Sequence, residues 1–178
     1  LKTKINIFIF FINLIYLNNI NAGTWEKIHI AIYDNNISLV RNILENNISE
    51  INSSTGGGLS PLHVAVKIRN LEIIKLLIKN GVNIDEVDNQ GRTALFLAVS
   101  QKNLEIIKTL ICSGADISLA NNEGISPLHQ ASYNGNIQLV DYLLNNGADK
   151  NLKTKDGLLA KDIAFAKKNF GVFELLNF

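Results

Sequence analysis

Methionine is absent from the 178-residue chain, cysteine and tryptophan occur once each, and proline occurs twice. The single Cys112 excludes an internal disulfide, so no covalent cross-link can hold the fold. Three histidines and one cysteine are also thin material for a zinc site, which takes three or four such ligands around one ion. Charge of one sign is equally scarce: 17 Lys and Arg against 16 Asp and Glu leave a net charge of +1. That excludes the strongly basic field by which proteins attract nucleic acid or an anionic membrane. Leu1 stands first, as after a non-standard start codon or a clipped end.

One long apolar run is present. Lys2 and Lys4 lead into residues 5–17, which are apolar except for Asn6 and Asn13, and a polar stretch then ends at Ala22-Gly23. A positive head, about a dozen apolar residues and a small residue at the exit form the layout of a secretory signal peptide. Residues 1–22 are therefore expected to be a signal cleaved after Ala22, sending the chain out of the cytosol as a secreted or periplasmic protein. The run is shorter than the roughly 20 residues of a spanning helix. An uncleaved membrane anchor through residues 5–17, or an apolar cap on the following domain, are the alternatives.

The rest of the chain is repetition. Ser60-Pro61-Leu62-His63-Val64-Ala65 returns as Thr93-Ala94-Leu95-Phe96-Leu97-Ala98 and as Ser126-Pro127-Leu128-His129-Gln130-Ala131, at a step of 33 residues. A fainter echo, Leu159-Ala160-Lys161-Asp162-Ile163-Ala164, follows at the same step. A fixed period of this size specifies an array of one small unit, each copy packed on its neighbours. Whole units span residues 55–87, 88–120 and 121–153; a worn unit lies at about 22–54 and a truncated one at 154–178. Residues 23–178 thus form one domain behind the signal.

Within each unit the residue types predict helix–turn–helix followed by a long turn. Asp88-Asn89-Gln90-Gly91 and Asn121-Asn122-Glu123-Gly124 open their units as tight turns, closed by a glycine. Ser or Thr then caps the first helix, and Pro suits its first turn. Leu62, Ala65, Leu95, Ala98, Leu128 and Ala131 fall on one face, where the small Ala lets paired helices approach. The second helices carry apolar residues at every third position from Leu71, Leu104 and Ile137, and Gly81, Gly114 and Gly147 end them. Glu72 and Glu105 are expected to pair with Lys75 and Lys108, three residues on.

These features together resemble the ankyrin repeat over roughly residues 25–178. The resemblance implies an all-α solenoid of about five stacked helix–turn–helix units, three full and two degenerate caps, with β-turn fingers projecting from the helical layers. It also implies a non-enzymatic module that binds a protein partner through the concave face made by the fingers and the first helices. In such proteins the histidine slot is structural, bonding to the Ser/Thr and to nearby backbone. His29, His63 and His129 all occupy it, and Phe96 takes it in the third unit. No histidine is then left for general-base or metal work.

Neither a catalytic residue, a cofactor site nor a metal site is expected, nor a nucleic-acid or small-molecule ligand. Gly56-Gly57-Gly58 lacks the strand and Lys of a phosphate loop. A monomer is expected, and membrane contact only through an uncleaved residue 5–17 anchor. The alternative function is an accessory or remnant of an exported enzyme or toxin system with its catalytic part elsewhere. Candidate partner contacts are positions that differ between copies. On the fingers these are Val87, Asn89, Gln90, Arg92, Asn122, Glu123, Ile125, Lys155 and Leu158, with Ile125 and Leu158 expected to form a small apolar patch. On the first helices they are Lys67, Ile68, Ser100, Gln101, Tyr133 and Asn134. Tyr133 and Arg92 are of the types that most often dominate interfaces.

Overall fold

The computed structural model describes residues 26–177; the expected signal segment, residues 1–22, lies outside them. Ten α-helices form five pairs among the described residues, and no strand is present there. The first helices of the pairs are α1 (Lys27–Tyr33), α3 (Pro61–Lys67), α5 (Ala94–Ser100), α7 (Pro127–Asn134) and α9 (Ala160–Ala166). The second helices are α2 (Ile37–Asn46), α4 (Leu71–Lys79), α6 (Leu104–Cys112), α8 (Ile137–Asn145) and α10 (Phe170–Asn177). Each first helix packs on the next first helix along the stack and on its own partner behind it. No described helix is long and apolar enough to cross a membrane.

Helices this short are marginal alone, so their ends and their packing decide the fold. Ser60, Thr93 and Ser126 accept from the backbone N–H three residues on, at 3.4, 3.1 and 3.4 Å, and Pro61 and Pro127 begin α3 and α7. The second helices are capped by a residue the motif reading passed over. Asn36, Asn70, Asn103 and Asn136 accept from Leu39, Ile73, Ile106 and Leu139 N–H at 2.9–3.2 Å. Each such cap is worth about 1 kcal/mol.

The core runs through the stack as two rows. Leu62, Ala65, Leu95, Ala98, Leu128 and Ala131 are essentially inaccessible on the first helices, as are Ile73, Ile74, Leu77, Ile106, Ile107 and Leu110 on the second. The first unit departs where the sequence carries an extra residue. Ile43 and Leu77 share a slot, as do Ile51 and Ile84, and the longer first path passes through a 3-10 turn at Ile48–Asn52. That turn has a second effect. Glu26 makes no side-chain cap on α1, and the Glu50 carboxylate accepts from Ile28 N–H at 3.0 Å in its place.

Candidate partner-binding face

The fingers are built from one acceptor and one glycine each. In the third unit Asp88 Oδ1 accepts from the N–H groups of Gln90 and Arg92, both at 2.9 Å, while Asp88 N–H donates to the Arg92 carbonyl at 3.0 Å. Asn121 holds the next finger in the same way, and Thr55 and Thr154 use their hydroxyls. Gly91 sits at φ 73°, and a Cβ there would lie 2.7 Å from the backbone nitrogen of Asn122. Only glycine lets neighbouring fingers come this close.

That closeness is used. Asn89, Asn122 and Lys155 N–H donate to the carbonyls of Gly57, Gln90 and Glu123 on the preceding fingers, at 3.3, 2.9 and 3.0 Å. The side chains of Asn89 and Asn122 add amide bonds to Gly56 and Asn89 carbonyls, both at 3.0 Å. These two candidate contacts are thus also the ties of the finger ladder. Arg92 is held as firmly, its Nε and Nη2 donating to Asp88 Oδ2 at 2.8 and 2.7 Å. Burial works to raise the Asp88 carboxyl, but the bonds from Arg92 and Gln90 outweigh it and hold the group below the ordinary carboxylate range.

The remaining finger candidates divide by exposure. Val87, Gln90, Glu123, Lys155 and Leu158 are exposed, and Ile125 is half-buried. On the first helices Lys67, Ser100 and Tyr133 are exposed, while Ile68, Gln101 and Asn134 are half-buried. Asn134 donates to the Val99 carbonyl of the preceding unit at 3.1 Å, and Gln101 to the Lys67 carbonyl at 3.4 Å. Tyr133 is 52% exposed, with Lys167 Nζ 4.3 Å from its ring centroid. A cation on an exposed aromatic face is a modest attraction, about 0.5–1 kcal/mol.

The histidines are straps between units. His63 Nδ1 accepts from Ser60 N–H at 3.1 Å, which puts the ring proton on Nε2, and Nε2 donates to the Arg92 carbonyl of the next finger at 2.8 Å. His129 repeats this toward Leu158 at 3.2 Å, and His29 Nε2 reaches the Leu59 carbonyl at 3.0 Å. Burial lowers the pKa of all three rings against the smaller opposing effect of those carbonyls. Neutral rings with both nitrogens of His63 and His129 engaged offer no site for proton transfer. Asp162 takes the slot in the last unit, accepting from Leu159 N–H at 2.8 Å.

One expectation is corrected. Glu72 pairs with Arg41 of the preceding unit at 3.5 Å, not with Lys75, and Lys108 Nζ lies 5.6 Å from the Tyr142 ring centroid. The second-helix surface is cross-linked between units, with both carboxylate and guanidinium well exposed. Such a pair adds little to stability. Cys112, the only cysteine, is exposed.

A family model described as ankyrin repeats (3 copies) matches residues 28–121, and one described as ankyrin repeats (many copies) matches residues 111–164. No curated protein matches the chain.

Proposed function

Because the chain belongs to the ankyrin repeat family, whose repeats are generally protein–protein interaction modules and typically not catalytic, we propose that it binds one protein partner through its concave face. The face consists of the finger tips and the exposed side of the first helices. It acts as a monomer, without a cofactor and without nucleic acid. Residues 1–22 direct its export, to the outside of the cell or the periplasm, and are removed after Ala22.

The observation that carries this reading is a division of labour between slots. On the first helices and fingers, the positions that repeat from copy to copy are buried or hydrogen-bonded within the frame: the helix-facing Leu and Ala, the Ser/Thr caps, the histidines and the finger glycines. Positions that differ, such as Gln90, Glu123, Lys67, Ser100 and Tyr133, are exposed. A surface whose chemistry changes from unit to unit on a constant frame suits recognition of one irregular partner. Reactive groups that would serve a common chemistry do not gather there.

Site-specific photocrosslinking tests it. A crosslinkable residue at position 133 should give a single protein adduct from the exported fraction, and one at position 105 on the second helices should not. Equal adducts from both positions would sink the concave-face assignment. Export is checked by N-terminal sequencing of the exported chain, which is expected to start at Gly23; a start at Leu1 rules out cleavage.

A further inference from the structure

The turn joining the two helices of each unit ends in a position whose backbone is left-handed throughout the stack. Its φ is 56° at Asn35, 59° at Arg69 and Lys102, 69° at Gly135 and 61° at Lys168. Glycine and asparagine adopt this conformation readily, whereas long side chains resist it. Three of the five units nonetheless place an exposed cation there. With Lys67 and Lys167 the edge carries five cations against one acid, Asp34. A last-turn residue such as Lys67 already answers the dipole of a first helix. The dipole therefore does not demand cations at the strained position as well.

Arg69 is also set in place. Its Nε donates to Gln101 Oε1 of the next unit at 3.2 Å, and Gln101 Nε2 donates to the Lys67 carbonyl at 3.4 Å. This strut fixes the guanidinium plane, and no ion pair among the described residues uses it. A fixed guanidinium with its outer nitrogens available suits a carboxylate fork. Beside it opens a cavity of about 480 Å³ lined by Tyr33, Asn35, Ile68, Arg69, Asn70 and Leu71. From there the row runs to Lys102 one unit on and to Lys167 and Lys168 at the far end. First helices pack about 9–10 Å apart, so an extended chain rising about 3.3 Å per residue passes one unit every three residues or so.

We propose that this edge is the docking track for an extended acidic segment of the protein partner. One carboxylate is forked by Arg69 beside the cavity, and further carboxylates meet Lys102 and the Lys167–Lys168 pair. The inference rests on the reading of the chain as a protein-binding module and names the chemistry of what it binds. Residues 1–25 of the chain itself contain no Asp or Glu and cannot fill this role.

The test is anisotropy of a labelled 12-residue peptide carrying Glu at every third position, titrated with the full chain. Its Gln-for-Glu counterpart is the control. The acidic peptide should bind at least tenfold more tightly than the control, and more weakly as salt rises. The triple change Arg69→Gln, Lys102→Gln, Lys168→Gln should weaken it about tenfold, whereas Lys75→Gln with Lys79→Gln on α4 should not. An unchanged urea midpoint shows that the triple variant is folded. Three outcomes overturn the proposal: equal binding of the control peptide, indifference to the triple change, or displacement of the peptide by phosphatidylserine vesicles. Sedimentation as a dimer that the triple change dissolves would assign the edge to self-association and overturn it too. A protein crosslinked from position 133 regardless of the triple change leaves the concave-face reading standing and removes this one. Peptide binding on the track without any crosslink from position 133 does the reverse.

Discussion

Val66 and Val99 on the internal first helices are fully buried, while Phe165, in the same slot of the last unit, is 58% exposed. The second helices repeat the contrast: Ile74, Ile107 and Val140 are sealed, and Phe173 at their slot is only partly covered. The larger residues stand at the end with less to cover them. Phe165, Phe170 and Phe173 turn to one another there, with ring centroids 6.2 and 5.2 Å apart. The difference teaches that a unit here does not own its core. Each unit supplies half of a core and borrows the rest from the unit after it, as expected when stability resides in interfaces between neighbours.

The sharpest way to break this comparison is to truncate both kinds of site. Ile107→Ala removes a side chain sealed on both sides and should cost about 3 kcal/mol in urea denaturation. Phe165→Ala, losing more atoms from an open face, should cost about 1 kcal/mol or less. Comparable losses would mean that the last unit is closed in solution, and the contrast between interior and end would fail.

Acidity probes the straps that join the units. Burial keeps His29, His63 and His129 neutral in the fold, while in the unfolded chain they take up protons near pH 6.5. The unfolded state therefore binds more protons below that value, and stability, complete above about pH 6.5, is lost as the pH falls further. The urea midpoint should drop between pH 7.5 and pH 5. It should drop less steeply in His63→Phe, which copies the Phe96 arrangement of the third unit. A midpoint that rises on acidification would show that the rings carry their protons in the fold.

The smallest effect concerns the helix turns. Lys102→Gly relieves a left-handed backbone and should raise stability by about 0.5–1 kcal/mol. The reverse exchange, Gly135→Ala, sets a Cβ 2.6 Å from Asn169 Oδ1 and should lower it. Thermal midpoints of the pair check the sign, and equal shifts would mean that the two turns are not equivalent.

Most of the frame was legible because its causes are local. Ser60, Pro61, Leu62 and Ala65 each act within one turn of helix, and their return every 33 residues marks each unit. The Asn caps at 36, 70, 103 and 136 were equally legible, being asparagines one step apart before each second helix, yet the leucine pattern beside them draws the eye first. The contacts between units were not legible. Nothing in the spacing of Glu72 shows that Arg41, 31 residues earlier, lies closer than Lys75. For the same reason Asn89, Asn122 and Arg92 read as variable tips. Asn89 and Asn122 in fact hold the same residue in one slot, and the ladder that fastens them forms only when neighbouring fingers are in place. The candidate face is therefore the part of the molecule in which frame and surface are hardest to separate from sequence.

The finger ladder has a mechanical consequence. Asn89 and Asn122 fasten their fingers with a side-chain amide in addition to the backbone bond, whereas Lys155, the next in line, has the backbone bond alone. Under tension on its C-terminal end the Lys155 finger bond is the first of the ladder to be loaded, while two Asn169 side-chain bonds to the Ser132 and Tyr133 carbonyls hold the helical side of that seam. The stack would then yield unit by unit, each releasing about 110 Å of extended chain, one repeat's length. An array held by nearest-neighbour contacts therefore yields gradually rather than all at once.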